Sequence, residues 1–307
     1  MRGTRALGRA IVAAAVLIAG CAAMTPGTLR ELDHPLAGRL WDPVAGRFTD
    51  RDDLLNRAAA AQVLLLGETH DNPYHHRLQQ QVLEARLAAG ARPVLAMEQF
   101  DRSQQTALDE TAAKRGDVSA LLRGWDREQY RELIAMAAAA GLTIVGGNLD
   151  RERLRPVVRE GYSTLAPETL ERLALDTAWD TGRDALLAGL IQESHCNAIT
   201  APLRDGLVRA QRLRDATLAE VALERIDRDV IYILGRGHAR RDIGVPRYLE
   251  TRRPGTRVLS VALVEVGAGR TAPQAYESDG LHGKPGFDLI WFTPRAERPD
   301  PCLAFKR

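Results

Sequence analysis

The residues best suited to chemistry in this chain of 307 residues sit where short apolar runs end. One run passes through Leu64-Leu65-Leu66 into Gly67-Glu68-Thr69-His70-Asp71-Asn72, followed by Pro73-Tyr74-His75-His76. Glycine allows a tight exit from a strand, and proline suits a first helical turn. Three histidines within seven residues, beside the Glu68 and Asp71 carboxylates, form a concentrated polar cluster able to move protons or ligate. A second run, Val230 to Leu234, leads into Gly235-Arg236-Gly237-His238 and repeats the spacing from glycine to histidine. Between them, the run ending at Met97 delivers Glu98, whose ionised side chain needs water or a partner. His70, Glu98 and His238 are therefore expected in one cleft. There they could hold a divalent metal that acidifies a bound water, or act with His70 as general base oriented by Glu68 or Glu98. Arg236 or Arg214 would then stabilise a developing oxyanion. Neither a Gly-x-Ser-x-Gly turn nor a His-Glu-x-x-His pair occurs, which disfavours acyl-serine and zincin mechanisms.

These residues need a frame that brings distant strand ends together. Apolar β-type runs at 62–67, 93–97, 142–146, 229–234, 257–266 and 288–293 alternate with amphipathic stretches such as 77–87, 128–140 and 184–194. Continuous apolar runs suit strands covered on both faces, so the expectation is an α/β domain with a largely parallel sheet flanked by helices. Ligands of such sheets bind outside the carboxyl ends of the strands. A further helix at 203–221 carries Leu203, Leu207, Gln211, Arg214, Leu218 and Val221 on one stripe. Gln211 and Arg214 interrupt its apolar face, with Asp215 adjacent, and either turn toward the polar site or join an interhelical ion pair. Asn148 and Asp150, after the third run, are expected on the rim.

The amino terminus carries Arg2, Arg5 and Arg9 without an acid, then an apolar stretch at 11–19 that is too short to span a bilayer. It ends in Leu17-Ile18-Ala19-Gly20-Cys21, which resembles a bacterial lipobox. Residues 1–20 thus read as an export signal, Cys21 as the lipidated residue, 21–36 as a tether and 37–307 as one domain. Ala22, in place of an aspartate, implies the periplasmic face of the outer membrane as the destination. Removal of 1–20 takes away three arginines and turns the net charge of +2 into −1, so there is no nucleic-acid footprint. Lysine occurs only at 114, 284 and 306 while arginine is abundant, so single arginines carry little functional weight. With Cys21 lipidated, Cys196 and Cys302 remain, either as a disulfide in an oxidising compartment or as two free thiols.

Taken in order, these motifs resemble ChaN-type haem-binding uptake lipoproteins: Gly67 to Asn72 with His75-His76, Met97-Glu98-Gln99-Phe100-Asp101, Gln211-x-x-Arg214-Asp215, Gly235 to His238 and Phe287 to Pro294. The resemblance spans about residue 37 to the carboxyl terminus. It belongs to a wider group with TraB-like, Tiki and erythromycin esterase-like proteins, which implies either haem binding or hydrolysis. It implies an α/β domain with a smaller helical part, paired so that haem lies between subunits, and uptake components as further partners. Haem iron needs an axial His or Tyr, for which Tyr74, His75, His76, Tyr130 and His195 are candidates, with Gln211 beside the ligand. Processing at Cys21 is directly testable: globomycin treatment of expressing cells should make an unprocessed precursor accumulate on a denaturing gel.

Overall fold

A computed structural model describes residues 28–277 and 280–305; the export signal, Cys21 and the first part of the tether lie outside them. In chain order the elements are β1 (Leu29–Arg30), β2 (Leu40–Asp42), β3 (Arg47–Thr49), α1 (Arg51–Ala60), β4 (Val63–Glu68), α2 (Pro73–Ala88), β5 (Val94–Asp101), α3 (Gln105–Ala113), α4 (Arg127–Ala139) and β6 (Ile144–Asn148). An all-helical segment follows, with α5 (Arg151–Glu160), α6 (Pro167–Arg172), α7 (Thr181–Ser194) and α8 (Ala201–Leu223). The chain ends with β7 (Val230–Gly235), α9 (Val245–Arg252), β8 (Val258–Glu265), β9 (Leu289–Thr293) and β10 (Arg295–Ala296).

Eight strands form one sheet in the order β3-β2-β9-β8-β4-β7-β5-β6. The six from β9 to β6 are parallel, and the β2–β3 hairpin adds an antiparallel edge. Each of the six expected strands is present. The hairpin was not anticipated, because its three-residue strands are too short to show a period. The folded part also begins earlier than expected. Leu29 pairs with Ala296 in the small β1–β10 sheet and Leu36 is buried, so the stretch from 29 to 36 is domain and not tether.

The apolar runs are buried on both faces, as their composition required, and side-chain alternation divides them between two cores. On one face Val63, Leu65, Val94, Ala96, Tyr232 and Leu234 pack with α5, α8 and α9. On the other Leu64, Leu66, Leu95, Met97, Ile231 and Ile233 pack with α1, α2 and α4. The same period, continued past the apolar residues, sends Glu98 to the α8 side and Glu68 and Gln99 to the α2–α4 side. Strand β7, later in the chain than both, lies between β4 and β5, while β8 lies on the far side of β4. That reversal of direction leaves a crevice at the carboxyl ends of β4 and β7.

Gly67 lets these strand ends close up. A Cβ there would lie 2.8 Å from Ala239 Cβ and 3.0 Å from Arg236 Cα, so only glycine admits the turn after β7 against β4. Strand β5 runs on to Asp101 instead of ending at Met97, with its pairing to β6 shifted between those residues, because buried partners accept its polar side chains. A disulfide joins Cys196, just past α7, to Cys302 in the final turn Pro301–Phe305. Its Cα atoms are 5.5 Å apart. Denatured, unreduced protein carrying Cys21→Ser should therefore show no reactive thiol, and two after reduction, in a colorimetric thiol titration.

Candidate functional site

Glu68 closes β4 with its side chain fully buried among donors. One oxygen accepts from His70 Nδ1 at 2.9 Å, Gln99 Nε2 at 3.0 Å and the Tyr130 hydroxyl at 2.5 Å. The other accepts from Gln79 Nε2 at 2.6 Å and lies 3.4 Å from His76 Nε2. Burial alone would raise the pKa of this carboxyl, but the His70 and His76 imidazoles hold it far below the usual carboxylate range. A carboxylate only accepts, so His70 Nδ1 carries a proton and the lone pair of a neutral His70 resides on Nε2. That ring packs edge-on against Trp125 at 4.7 Å, is 38% exposed, and has its pKa raised by Glu68 and Glu98 against the effect of burial.

Glu98 occupies the opposite face. Its Oε2 accepts the backbone N–H of Gly235 at 2.7 Å, and Oε1 lies 3.3 Å from His238 Nε2. His238 Nδ1 in turn donates to Asp215 Oδ1 at 2.6 Å. All three side chains are nearly inaccessible. Burial opposes a charge on His238, but Glu98 and Asp215 on its two sides prevail and hold its pKa up to about 10. Glu98, despite burial, is drawn down to about 2 by His238, while burial holds Asp215 up at about 6. The group is thus an imidazolium clamped by carboxylates. Gly235 lies between the two sets: a Cβ on it would sit 2.8 Å from His70 Nε2 and 3.5 Å from Glu98 Oε2.

His70, Glu98 and His238 therefore do gather around one strand end, as their positions after strands implied. They do so as ion pairs and not as a ligand set. A protonated His238 has no lone pair to offer, and among the described residues no group of three or more His, Cys, Asp or Glu side chains is placed to hold a metal ion. Gln211, Arg214 and Asp215 of α8 face the site as well. The Gln211 amide is 3.1 Å from His238 Nδ1, and Arg214 Nε donates to Asn148 Oδ1 at 2.9 Å. Leu203, at the start of the same stripe, is exposed. Asp71 stands apart and pairs with Arg298 at the surface, while Asp150 accepts from Ser103.

The histidines after β4 also diverge from the expected haem-ligand set. His75 is buried, accepts from Thr69 N–H at Nδ1 and donates from Nε2 to Thr293 Oγ1, and burial lowers its pKa to about 3. With both nitrogens bonded it is a neutral structural residue. His76 is buried against Tyr130, and Tyr130 is committed to Glu68. Tyr74 faces a separate groove beside the hairpin with Phe48 and Trp291. Gln79 and Gln99, both bonded to Glu68, were not singled out from the sequence. A buried Gln at each of these positions, one on the helix after β4 and one after Glu98, was the available signal.

Next to the Asp215–His238 pair opens a cleft of about 1350 Å³ between α5, α7, α8 and the ends of β7 and β8. Its floor includes Thr69, Gln211, Asp215, Arg236 and Gly237. Leu187, Leu190 and Ile191 of α7, with Leu207, Val264 and Phe287, give it an apolar side, where His195 and Tyr276 are the imidazole and phenol.

A family model described as haem-binding uptake, Tiki superfamily, ChaN matches residues 54–249, which hold the exits of β4, β5, β6 and β7. The chain belongs to that family. A ChaN structure from Campylobacter jejuni, described as showing cofacial haem binding, superposes with a TM-score of 0.66 at 20% identity, over 82% of this chain and 95% of that one. The ChaN likeness thus establishes a shared fold. An erythromycin esterase variant in its open conformation matches at a TM-score of 0.44 and 11% identity, over 81% and 94%. A protein from Bacillus cereus matches at 0.43 and 13%, over 81% and 74%. Among curated proteins none matches.

The charged triad has a pH signature. His238 has a folded pKa of about 10 against an ordinary 6.5, so its stabilisation is complete below pH 6.5 and is lost as pH rises through 10. Urea unfolding should show stability falling across that window. Glu98→Gln, which removes one charged partner of the buried imidazolium, should cost roughly 3–5 kcal/mol at pH 7 and flatten the dependence.

Proposed function

We propose that this protein binds haem in the cleft beside Asp215 and His238, and that it does so as a lipid-anchored protein at the periplasmic face of the outer membrane in haem and iron acquisition. The observation that carries the reading is a roomy cleft with an apolar side in a chain of this family. At about 1350 Å³ it exceeds the ~300–1,000 Å³ typical of small-molecule sites, which suits a flat macrocycle. Its apolar side is aliphatic apart from Phe287, in keeping with an aromatic content of only 5%. Haem iron takes an imidazole or phenol ligand. His195 lies on the cleft, where its Nδ1 donates to the Ile191 carbonyl at 2.8 Å. Tyr276 is the other donor, its hydroxyl hydrogen-bonded to Gly267 and Arg270.

The anchored setting rests on the export segment and Cys21, and subunit pairing and uptake components on the family likeness. Among the described residues no helix is long and apolar enough to cross a membrane. A lipid on Cys21 would be a sufficient tether only with a long or multiple acyl chain.

A second reading, hydrolysis, is supported by the Glu68–His70 dyad. Its imidazole is partly exposed, and Nε2 is aimed past Gly235, an arrangement that can take a proton from water without a metal. The two readings separate experimentally. Hemin added to the purified protein should shift the Soret band, His195→Ala or Tyr276→Phe should alter that band, and His70→Ala should leave it in place. An unshifted band with the wild-type protein would remove the haem reading. Ester and amide hydrolysis that is lost in His70→Ala would establish the other.

A further inference from the structure

The cleft is strongly asymmetric in charge. Opposite the apolar α7 side, α5 presents Arg151, Arg155 and Arg159, spaced four residues apart and so on one face of the helix. All three are exposed, and among the described residues none has a carboxylate within 4 Å, whereas Arg240 and Arg298, also on the cleft, are paired with Asp242 and with Asp71 and Glu265. Arg214 and Arg236 face the same space without an ion pair; Arg214 donates to the neutral amide of Asn148. Arg236 reaches water in the cleft, yet the surrounding protein lowers its pKa. These five guanidinium groups, with no ion pair among the described residues, thus line one cavity, three of them in a single row on α5. The carboxylates that also line the cleft, Glu193, Asp215, Glu265 and Glu277, make no ion pair with the α5 arginines, so that row stays positively charged.

The ladder is also rigidly placed. Leu154 and Val157 bury the other face of α5, and a Cβ on Gly206 of α8 would lie 2.4 Å from the Val158 carbonyl oxygen. The two backbones are therefore in close contact, which fixes the helix that carries the arginines against α8. A site with one apolar and one cationic side fits a flat apolar body that carries carboxylates on one edge. Guanidinium groups are the side chains that grip carboxylates in a bidentate manner.

We propose that Arg151, Arg155 and Arg159, with Arg214 and Arg236 at the floor, form a carboxylate-docking strip that makes the cleft selective for tetrapyrroles with free propionates. This rests on the haem reading above. The test compares hemin with its dimethyl ester on the detergent-solubilised full-length chain, using wild type and the double variant R155Q/R159Q. These two positions are exposed, so the helix should persist, and circular dichroism would verify it. The expected result is that the double variant weakens hemin about tenfold or more, as loss of charge-assisted hydrogen bonds does. The ester should bind wild type weakly and be indifferent to the substitutions. Equal hemin affinity in the two proteins, or an ester that binds wild type as tightly as hemin, would overturn the strip while leaving haem binding intact. Failure of wild type to bind either compound would overturn both, so the two failures are distinguishable.

Discussion

Gly235 ends the central strand between two buried carboxylates that lie on opposite faces of the sheet, and the polar end of the molecule is organised around that constraint. Glu98 takes the Gly235 N–H from one side, and His70 packs over the same glycine from the other. A Cβ on this glycine would come within 2.8 Å of His70 Nε2, so the ring keeps its place only because the residue is glycine. An ionised carboxylate removed from water is strongly destabilising unless its lone pairs are filled. The two carboxylates meet this requirement differently. Glu68 is surrounded mainly by neutral donors from β5, α2 and α4, while Glu98 relies on a backbone amide and a charged imidazole.

That difference gives the two faces different chemical capacities. The His70 ring is tethered through one nitrogen, partly exposed and able to exchange a proton. The His238 ring is locked between Glu98 and Asp215, so it acts as fixed charge. It holds Asp215 at the floor of the neighbouring cleft and thereby couples the sheet end to α8. Positions that read alike in sequence, a glycine and then a histidine three residues on, have become a partly exposed imidazole on a buried carboxylate in one case and an enclosed cation in the other.

The cleft depends on the helical segment between β6 and β7. Helix α8 carries the polar floor, α7 the apolar side, and α5 the cationic side. The disulfide at Cys196 fastens the chain immediately after His195 to the carboxyl-terminal turn. One side of the cavity is thus covalently tied to the far end of the domain, and another is fixed by the close approach at Gly206. Both features favour a preformed cavity over one that assembles around its ligand.

Local patterning was enough to establish the six parallel strands, the helices between them and the strand exits that carry Glu68, His70, Glu98 and His238. Period-two and helical spacing are properties of short stretches of chain. The family likeness rested on the same short motifs. It took the tertiary structure to decide that His75 and His76 are interior, that His238 is an imidazolium and not a ligand, and that Cys196 meets Cys302. Charge state and access are set by neighbours supplied from distant elements, such as Asp215 from α8 or Thr293 from β9. The α5 arginines show the point most clearly. In a chain so rich in arginine their spacing carried no signal, and they stand out only when folding sets them in a row, without ion pairs, along one cavity.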